Sequence, residues 1–526
     1  MCGIALIVGP GANRALFDRM MASIRPRGDV EETLCEEGRM LGTQRLRIVD
    51  RDHSVQPWVS ADQRWALCYN GEVFNYRELR DELTALGHQL RSTGDTEVVL
   101  ESFLEWGEEA VHHLRGEFAF AVVERETGRV YVARDPIGVK PLYWSHQGGR
   151  LNVASEVKAL VPAGAAVVEV APGHAGWGSP QCPPELSPYV DLMRLAEGED
   201  PIDDPEEAGR RVREALVDSI RVRVDTDLTV GVILSGGLDS TLTLLHVQEM
   251  HPDCVAFTVG TGDSDDLRFA RQLARELGVH HEIVELRPGD IRLSDIRSAI
   301  RMAELTEYGD VINSVVSRPL FERVHRCGVK VVLSGDGSDE LFGGYSMYQG
   351  VGAQLSGQLF RHSIRNLSRT ELQRVDRMSM GQGVEARVPF LDLSLVKLAL
   401  QIPLDLKVRD GMEKWILRTA FADILPDYVR QRPKNPMSHA SGLHERIRLY
   451  RPLFARTYRS FGYDVAEPMR RDFSSVLERN GLDLDRALAA PDLWRDYSAA
   501  EHARDLAGAV KWNLTAAARR LSGPRS

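Results

Sequence analysis

Residues 229–250, TVGVILSGGLDSTLTLLHVQEM, run from a short β-branched apolar stretch through two adjacent glycines into a segment of helical length. Buried strand, tight turn and helix form the repeating unit of a parallel sheet covered on both faces. The rhythm continues. CVAFTVG (254–260) reads as a second strand, followed by the helical DLRFARQLARELG. HHEIVEL (280–286) reads as a third, and VKVVLSGDGSDELFGG (329–344) as a fourth with its own glycine-rich turn.

The first of these turns, SGGLDS (235–240), has the composition of an anion cradle. Successive backbone N–H groups in a glycine-rich turn make a concave donor site, and the following helix N-terminus adds a favourable dipole. Gly236 and Gly237 permit close approach of a phosphate, and Ser235 and Ser240 offer hydroxyl donors. The lysine of a Walker loop is missing. Asp239 beside phosphates makes sense only with Mg²⁺ between them. The companion turn SGDGSDE (334–340) supplies Asp336, Asp339 and Glu340 outside the carboxyl end of another strand, where such sheets bind ligands. Asp239 and Asp339 are therefore the expected metal ligands. A phosphate site this acidic also needs a cation, and Lys434 in RQRPKNP is a candidate, the alternative being a solvated surface lysine.

Bulk properties agree. At 526 residues the chain expects two or three domains. The net charge of −11 disfavours nucleic acid as a partner. No run approaches the roughly 18 apolar residues of a membrane span. No basic region with an apolar core opens the chain, so no secretory signal is expected. Six scattered cysteines without a CxxC pair suit a reducing cytoplasm, with neither a zinc site nor a disulfide framework.

The first 200 residues read differently. IALIVG, RWALCYNG, EFAFAVVE and RVYVARD are short strands, with helices at YRELRDELTALG and TEVVLESFLEWG. The stretch from Pro162 to Pro201 reads as loop and linker, and EGEDPIDDPEEAG (197–209) is the expected boundary between a domain at 1–200 and one at 201–526. The chain opens MCGIALIVG. If Met1 is removed, Cys2 carries a thiol nucleophile and an α-amino base of pKa roughly 7.7–8 on one residue. Simple packing of Cys2 at the start of a strand is the alternative.

Together these pieces resemble the glutamine-hydrolysing asparagine synthetases, which join a class II glutamine amidotransferase domain to an ATP-pyrophosphatase-type synthetase domain. In the first half the resemblance rests on MCGI, RLRIVD, YNGEVFNY, GDTEVVL, LRGEFAFAVVE, ARDPIGVKPLYW and ASEVKAL. In the second it rests on GVILSGGLDS, SDDLRFA, VVLSGDGSDELFGGY, DRMSMGQGVEARVPFLD, EKWILRTAF and LPDYVRQRPK. It implies an N-terminal αββα Ntn-hydrolase sandwich, then a parallel-sheet PP-loop domain with a helical C-terminal part.

The resemblance also implies roles. Cys2 attacks the amide carbon of glutamine, and Asn70 with the Gly71 N–H forms the oxyanion hole. Glutamine is held along Arg45, Leu46, Arg47, Ile48 and Val49, with Arg45 on its α-carboxylate; Glu72 and Asp95, beside Gly94, hold its α-ammonium. A zwitterionic substrate independently calls for one fixed cation and one or two fixed anions. ATP lies on Leu234, Val259, Asp266, Ser334 and Gly335, with Ser235 to Ser240, including Leu238, around the pyrophosphate. A carboxylic acid is activated as acyl-AMP and then amidated by ammonia, with Lys434 and Asp336 as catalytic groups. ATP and Mg²⁺ are the implied cofactors, glutamine and a carboxylic acid the partners, and a homodimer is allowed.

Four positions depart from the family pattern. Arg27-Gly28-Asp29 lacks a usual proline, Thr43-Gln44-Arg45-Leu46 replaces H-x-R-L, Asp336 stands where some members have Glu, and Ser438-His439-Ala440 replaces S-D-G. The last lies in the region expected to face the acceptor. Aspartate and another acid from a specialised biosynthetic pathway both stay open as acceptors. Three other classes compete: a synthetase that closes a ring with an inactive glutaminase, a tRNA-modifying PP-loop enzyme, and a plain N-terminal-nucleophile hydrolase. Intact Cys2, Arg45, Asn70, Glu72 and Asp95 argue against the first, acidic charge against the second, and the whole second half against the third.

Overall fold

A computed structural model describes residues 1–434 apart from 193, 263, 288–289, 305–307, 346–347, 349–352 and 370. The far end of the expected helical C-terminal part, from 435 on, and with it Ser438-His439-Ala440, lies outside the described residues.

The N-terminal half stacks two antiparallel sheets. The first runs Val168–Glu169, Tyr143–Gln147, Arg150–Ala154, β1 (Cys2–Val8), β2 (Arg39–Arg45) and Val30–Glu36. The second runs Glu185–Pro188, His174–Gly178, Val130–Arg134, β4 (Gly116–Glu124), β3 (Trp65–Val73) and Trp58–Val59. Side chains alternate faces along a strand, and the burial follows suit. Ile4, Leu6 and Val8 of β1 meet Ala66 and Cys68 of β3 between the sheets. Ala5 and Ile7 turn outward onto Phe17, Met20 and Met21 of helix α1 (Arg14–Ile24). On the far side, Leu67 and Tyr69 pack against α2 (Tyr76–Ala85) and α3 (Asp95–Trp106). The αββα sandwich is present.

One segment differs from its reading. The Gly- and Pro-rich stretch after Pro162, expected to be loop, supplies three short strands that complete both sheets. They extend the ends of both sheets, where a backbone partner already formed elsewhere in the fold outweighs weak local propensity.

Helix α4 (Pro205–Arg223) opens the second half, its N-cap Asp204 accepting from the Glu206 and Glu207 N–H groups. The sheet behind it is parallel throughout, in the order β7 (His280–Glu285), β6 (Val255–Gly260), β5 (Val230–Ile233), β8 (Val331–Leu333), β9 (Glu385–Arg387). Strand order reverses at β5. The turns after β5 and β8 therefore leave adjacent strands at a topological switch point, where open sheets bind their ligands. Helix α5 (Leu238–Met250) follows the first turn, and α6 (Asp265–Leu277) follows β6.

The halves share a buried boundary. Apolar side chains of β1 and α1 belong to one cluster with Val316, Leu320, Val332 and Val375. Glu304 accepts from the Val157 and Lys158 N–H groups across it. Among the described residues no helix is long and apolar enough to cross a membrane. All six cysteines are free.

Candidate functional site

Cys2 begins β1, opposite Arg45 of β2. Its N–H donates to Asn70 Oδ1 (2.9 Å), its carbonyl accepts from Arg27 Nε (3.0 Å), and its Sγ lies 3.9 Å from Gln56 Nε2. Burial pushes the thiol above its ordinary range, although the Met1 ammonium and Arg45 pull the other way. A protonated thiol is a weak nucleophile, so this cysteine needs a base. At the other end of the Asn70 amide, Nδ2 is buried without a hydrogen-bond partner among the described residues. A buried amide donor left unpaired costs about 1–3 kcal/mol and calls for a functional reason. Gly71 follows on β3, in register with Phe118.

The basic amino group here belongs to Met1. Its ammonium lies 2.6 Å from Glu385 Oε2, with both groups buried. Burial works against that charge, but Glu385 and Glu72 outweigh it and raise the pKa. The Met1 side chain fills an apolar gap among Leu46, Ile48, Val331 and Met380. Its carbonyl accepts from the Leu46 N–H (3.2 Å).

The structure brings the expected glutamine ligands around this point. Arg45 is engaged: Nε pairs with Glu32 (3.1 Å) and both terminal nitrogens donate to the Arg51 carbonyl. One N–H on each terminal nitrogen is left for a carboxylate. Asp95 Oδ2 accepts from Tyr69 Oη (2.7 Å) and the Val73 N–H (3.2 Å). Glu72 lies 3.4 Å from Arg387 of β9. Burial pushes the Glu72 carboxyl up to about 8, with Arg387 opposing. Gly94 caps α3 immediately before Asp95, and Ile48 is buried. Arg47 pairs with Asp29, which also receives Lys330 Nζ (2.8 Å) from the other half. The residue that follows Gly28, where the usual proline is missing, thus forms a cross-domain tie.

The two glycine-rich turns meet as expected. Gly236 has φ +67°, and a Cβ there would come within 2.7 Å of the Ala270 nitrogen. Ser240 Oγ lies 3.1 Å from Ser235 Oγ and donates to the Gly237 carbonyl. Leu238 starts α5, and Leu234 and Val259 are buried at the carboxyl ends of β5 and β6. In the second turn Ser334 donates its N–H to the Arg387 carbonyl (3.0 Å), and its Oγ has no partner among the described residues. Gly335 packs against Asp239. Asp336 Oδ1 accepts from Arg374 (2.7 Å).

Between the turns sits a side chain that the motifs left unassigned. Lys414 Nζ is 2.6 Å from Asp239 Oδ2 and 2.7 Å from Asp339 Oδ1. Lys434 Nζ reaches the other Asp339 oxygen at 2.5 Å. Burial would raise the Asp339 carboxyl, but the two ammonium groups hold it well below the usual range. Lys414 has φ +55°, a left-handed conformation that a side chain adopts at a cost of order 1–3 kcal/mol. Gly344 makes room: a Cβ there would sit 1.8 Å from Asp339 Oδ1. Arg432 is a second unassigned cation, paired with Asp266 (2.8 Å) and donating to the Ser235 carbonyl. Ser235, Gly237, Leu238, Asp239, Asp266, Lys414, Arg432 and Lys434 line one cavity. Among the described residues no group of three or more His, Cys, Asp or Glu could hold a metal. Two carboxylates do suit Mg²⁺ in company with phosphate oxygens, its usual mode.

No sequence spacing announces Lys414, Arg432, Gln56, Glu385 or Arg387. Gln56 meets the Tyr69 N–H across 13 positions, Glu385 meets the Met1 ammonium across 384, and Lys414 reaches Asp239 across 175. The local signals were the motifs that contain them: EKWILRTAF for Lys414, LPDYVRQRPK for Arg432, and DRMSMGQGVEARVPFLD for Glu385 and Arg387.

Comparison with known proteins agrees with this two-site picture. Residues 1–174 match the glutamine amidotransferase domain family, and residues 211–355 and 352–485 match the asparagine synthase family. The chain is 33% identical over 444 residues to asparagine synthetase B [glutamine-hydrolyzing] of Escherichia coli, covering 80% of this chain and 78% of that protein. It is 32% identical over 480 residues to asparagine synthetase [glutamine-hydrolyzing] 3 of Arabidopsis thaliana, covering 84% and 79%. With the amidotransferase and asparagine synthase domains matched in this order, the chain belongs to the glutamine-hydrolysing asparagine synthetase family.

Proposed function

We propose that this protein moves the amide nitrogen of glutamine onto a carboxylate that ATP has activated, with aspartate as the default acceptor and asparagine, glutamate, AMP and pyrophosphate as products. The family's relatives carry the names of asparagine synthetases, which supports aspartate. The observation that carries the reading is the presence, in one chain, of a buried Cys2–Asn70 pair and of two facing turns whose acids meet two lysines.

In the glutaminase half, at residues 1–200, Met1 is removed and the freed α-amino group of Cys2 takes the thiol proton. Sulfur then attacks the amide carbon. Negative charge that develops on the amide oxygen is received by Asn70 Nδ2 and the Gly71 N–H, donors worth about 3–4 kcal/mol each in such roles. Ammonia leaves with the proton, and water releases glutamate from the thioester. Arg45 orients the α-carboxylate, and Glu72 and Asp95 the α-ammonium.

In the synthetase half, at residues 201–526, ATP lies across the two turns. Mg²⁺ held by Asp239 and Asp339 together with phosphate oxygens would neutralise the pyrophosphate. An acceptor carboxylate oxygen attacks the α-phosphorus, and pyrophosphate departs toward Lys434 and Lys414. Ammonia then attacks the acyl carbon and expels AMP, with Asp336 taking the surplus proton. An acceptor screen with ATP, Mg²⁺ and glutamine, read by pyrophosphate release and product mass, tests this reading. Aspartate should give asparagine. Pyrophosphate release with another acid and none with aspartate would move the acceptor to that acid, and release with no acid tried would sink the reading.

A further inference from the structure

We propose that helix α7 (Glu371–Met380) carries the state of the acceptor-side turn to the cysteine, with Asp376 as the positioning residue; the inference rests on the two-site reading above. Arg27, whose Nε holds the Cys2 carbonyl, spends its terminal nitrogens on Asp376 in a two-pronged pair of 2.7 and 3.0 Å. It also reaches Glu156 at 2.7 Å. Burial notwithstanding, Arg27 holds the Asp376 carboxyl down at about 2, so the pair is ionised. Two positions earlier on the same helix, Arg374 holds Asp336 at 2.7 Å and also contacts Glu371.

Positions two apart on a helix point about 200° away from each other. A single helix therefore holds, with one side, the arginine that anchors the Cys2 carbonyl and, with the other, the synthetase turn. All its residues from Leu372 to Met380 are buried, and close-packed interiors transmit displacement rather than absorb it. Cys2 in turn has two backbone anchors, Asn70 on its N–H and Arg27 on its carbonyl. A shift of Asp376 swings the second anchor relative to the first and re-aims the thiol against the Asn70 amide.

One buried contact is open to change by a ligand. Arg374 Nε is buried and has no hydrogen-bond acceptor among the described residues, although its terminal nitrogen holds Asp336. An acceptor carboxylate or an acyl-phosphate oxygen arriving beside Asp336 offers that N–H a partner. Arg374 then divides its bonds differently. A ligand shifts an equilibrium only through contacts that differ between the two states, and this is such a contact. Glutamine hydrolysis is thereby raised when an activated acceptor is waiting.

The test measures three rates on one preparation of the whole enzyme: glutaminase alone, glutaminase with ATP, Mg²⁺ and acceptor, and amide formation from ammonium salts. In the unaltered protein the filled synthetase site should raise glutaminase kcat/KM at least about fivefold, the lower end of ordinary coupling. Asp376→Asn keeps the side chain's shape and one acceptor oxygen but loses the charge and the two-pronged grip. It should leave basal glutaminase and ammonia-dependent synthesis within about twofold and abolish the stimulation, so that glutamate release with ATP, Mg²⁺ and acceptor present stays at the basal rate. A merely structural role would lower all three rates together. Should Asp376→Asn not fold, hydrogen exchange on the unaltered enzyme serves instead: adding ATP and acceptor must change protection in residues 371–380 and 25–29. Full stimulation in Asp376→Asn, no stimulation in the unaltered enzyme, or unchanged exchange in both segments overturns the relay. Absence of both basal activities would instead strike the two-site reading itself, and the relay would fall with it.

Discussion

Replacing Lys414 by Met removes one ammonium and keeps the length of the side chain, so its consequences follow from charge. The side chain is 2% exposed, and its Nζ bridges Asp239 and Asp339 at 2.6 and 2.7 Å. Without it two carboxylates face each other at about 5 Å, a repulsion of about 3 kcal/mol at the effective dielectric of protein sites. Lys434 still compensates Asp339 at 2.5 Å, whereas among the described residues Asp239 keeps the Ser338 hydroxyl at 2.8 Å and no direct ion pair. Removing one partner of a buried ion pair costs about 3–5 kcal/mol, and we expect that loss near neutral pH. The sign of its pH dependence follows from Asp339, whose carboxyl is depressed in the folded protein. Such a group stabilises above its unfolded value and loses that contribution as pH falls through the folded one. Lys414→Met raises the folded value, so acid unfolding should begin at higher pH. ATP–pyrophosphate exchange should fall about 100- to 1000-fold, the range for losing one donor to a developing charge, while glutamate release from glutamine continues. Denaturant titration at several pH values beside the exchange assay decides it. Exchange within about threefold of the unaltered enzyme, with an unmoved acid limb, would refute the reasoning.

Cys2→Ala should abolish glutamine-dependent amide formation and spare the reaction with ammonium salts; loss of both in a folded variant would contradict two separate sites. Asp239→Asn and Asp339→Asn should each lower ATP–pyrophosphate exchange at least about 100-fold, and near-normal exchange in either would remove that carboxylate from the metal. Lys434→Ala should lower exchange by roughly 100- to 1000-fold without full rescue by Arg, and glutamine should then be wasted as glutamate and ammonia. Normal exchange in Lys434→Ala would return this lysine to the solvent.

Much of this was written locally in the chain. SGGLDS and SGDGSDE each follow a β-branched run and precede a helix, so strand, turn and helix could be read from neighbours alone. Cys2, Asn70 and Asp95 stand inside motifs whose order matched a family. Other features were not legible. Asp376 meets Arg27 across 349 positions and Arg387 meets Glu72 across the domain boundary. Charge pairs of that kind leave no periodicity. Arg374, Asp376 and Arg377 are charged residues of one helix, yet all three are buried. The strands at Val168–Glu169, His174–Gly178 and Glu185–Pro188 escaped because their glycines and prolines signal turns. Their pairing is dictated by strands already in place.

The central claim is that nitrogen freed at Cys2 ends in an amide formed at the acyl-adenylate. Supplying glutamine with heavy nitrogen in its side-chain amide, together with ATP, Mg²⁺, aspartate and excess unlabelled ammonium, measures this directly by product mass. The account predicts labelled amide product, with total amide equal to the AMP and pyrophosphate formed, and loss of the label in Cys2→Ala while unlabelled amide continues. Amide carrying nitrogen only from the ammonium pool, despite active release of glutamate, would contradict it.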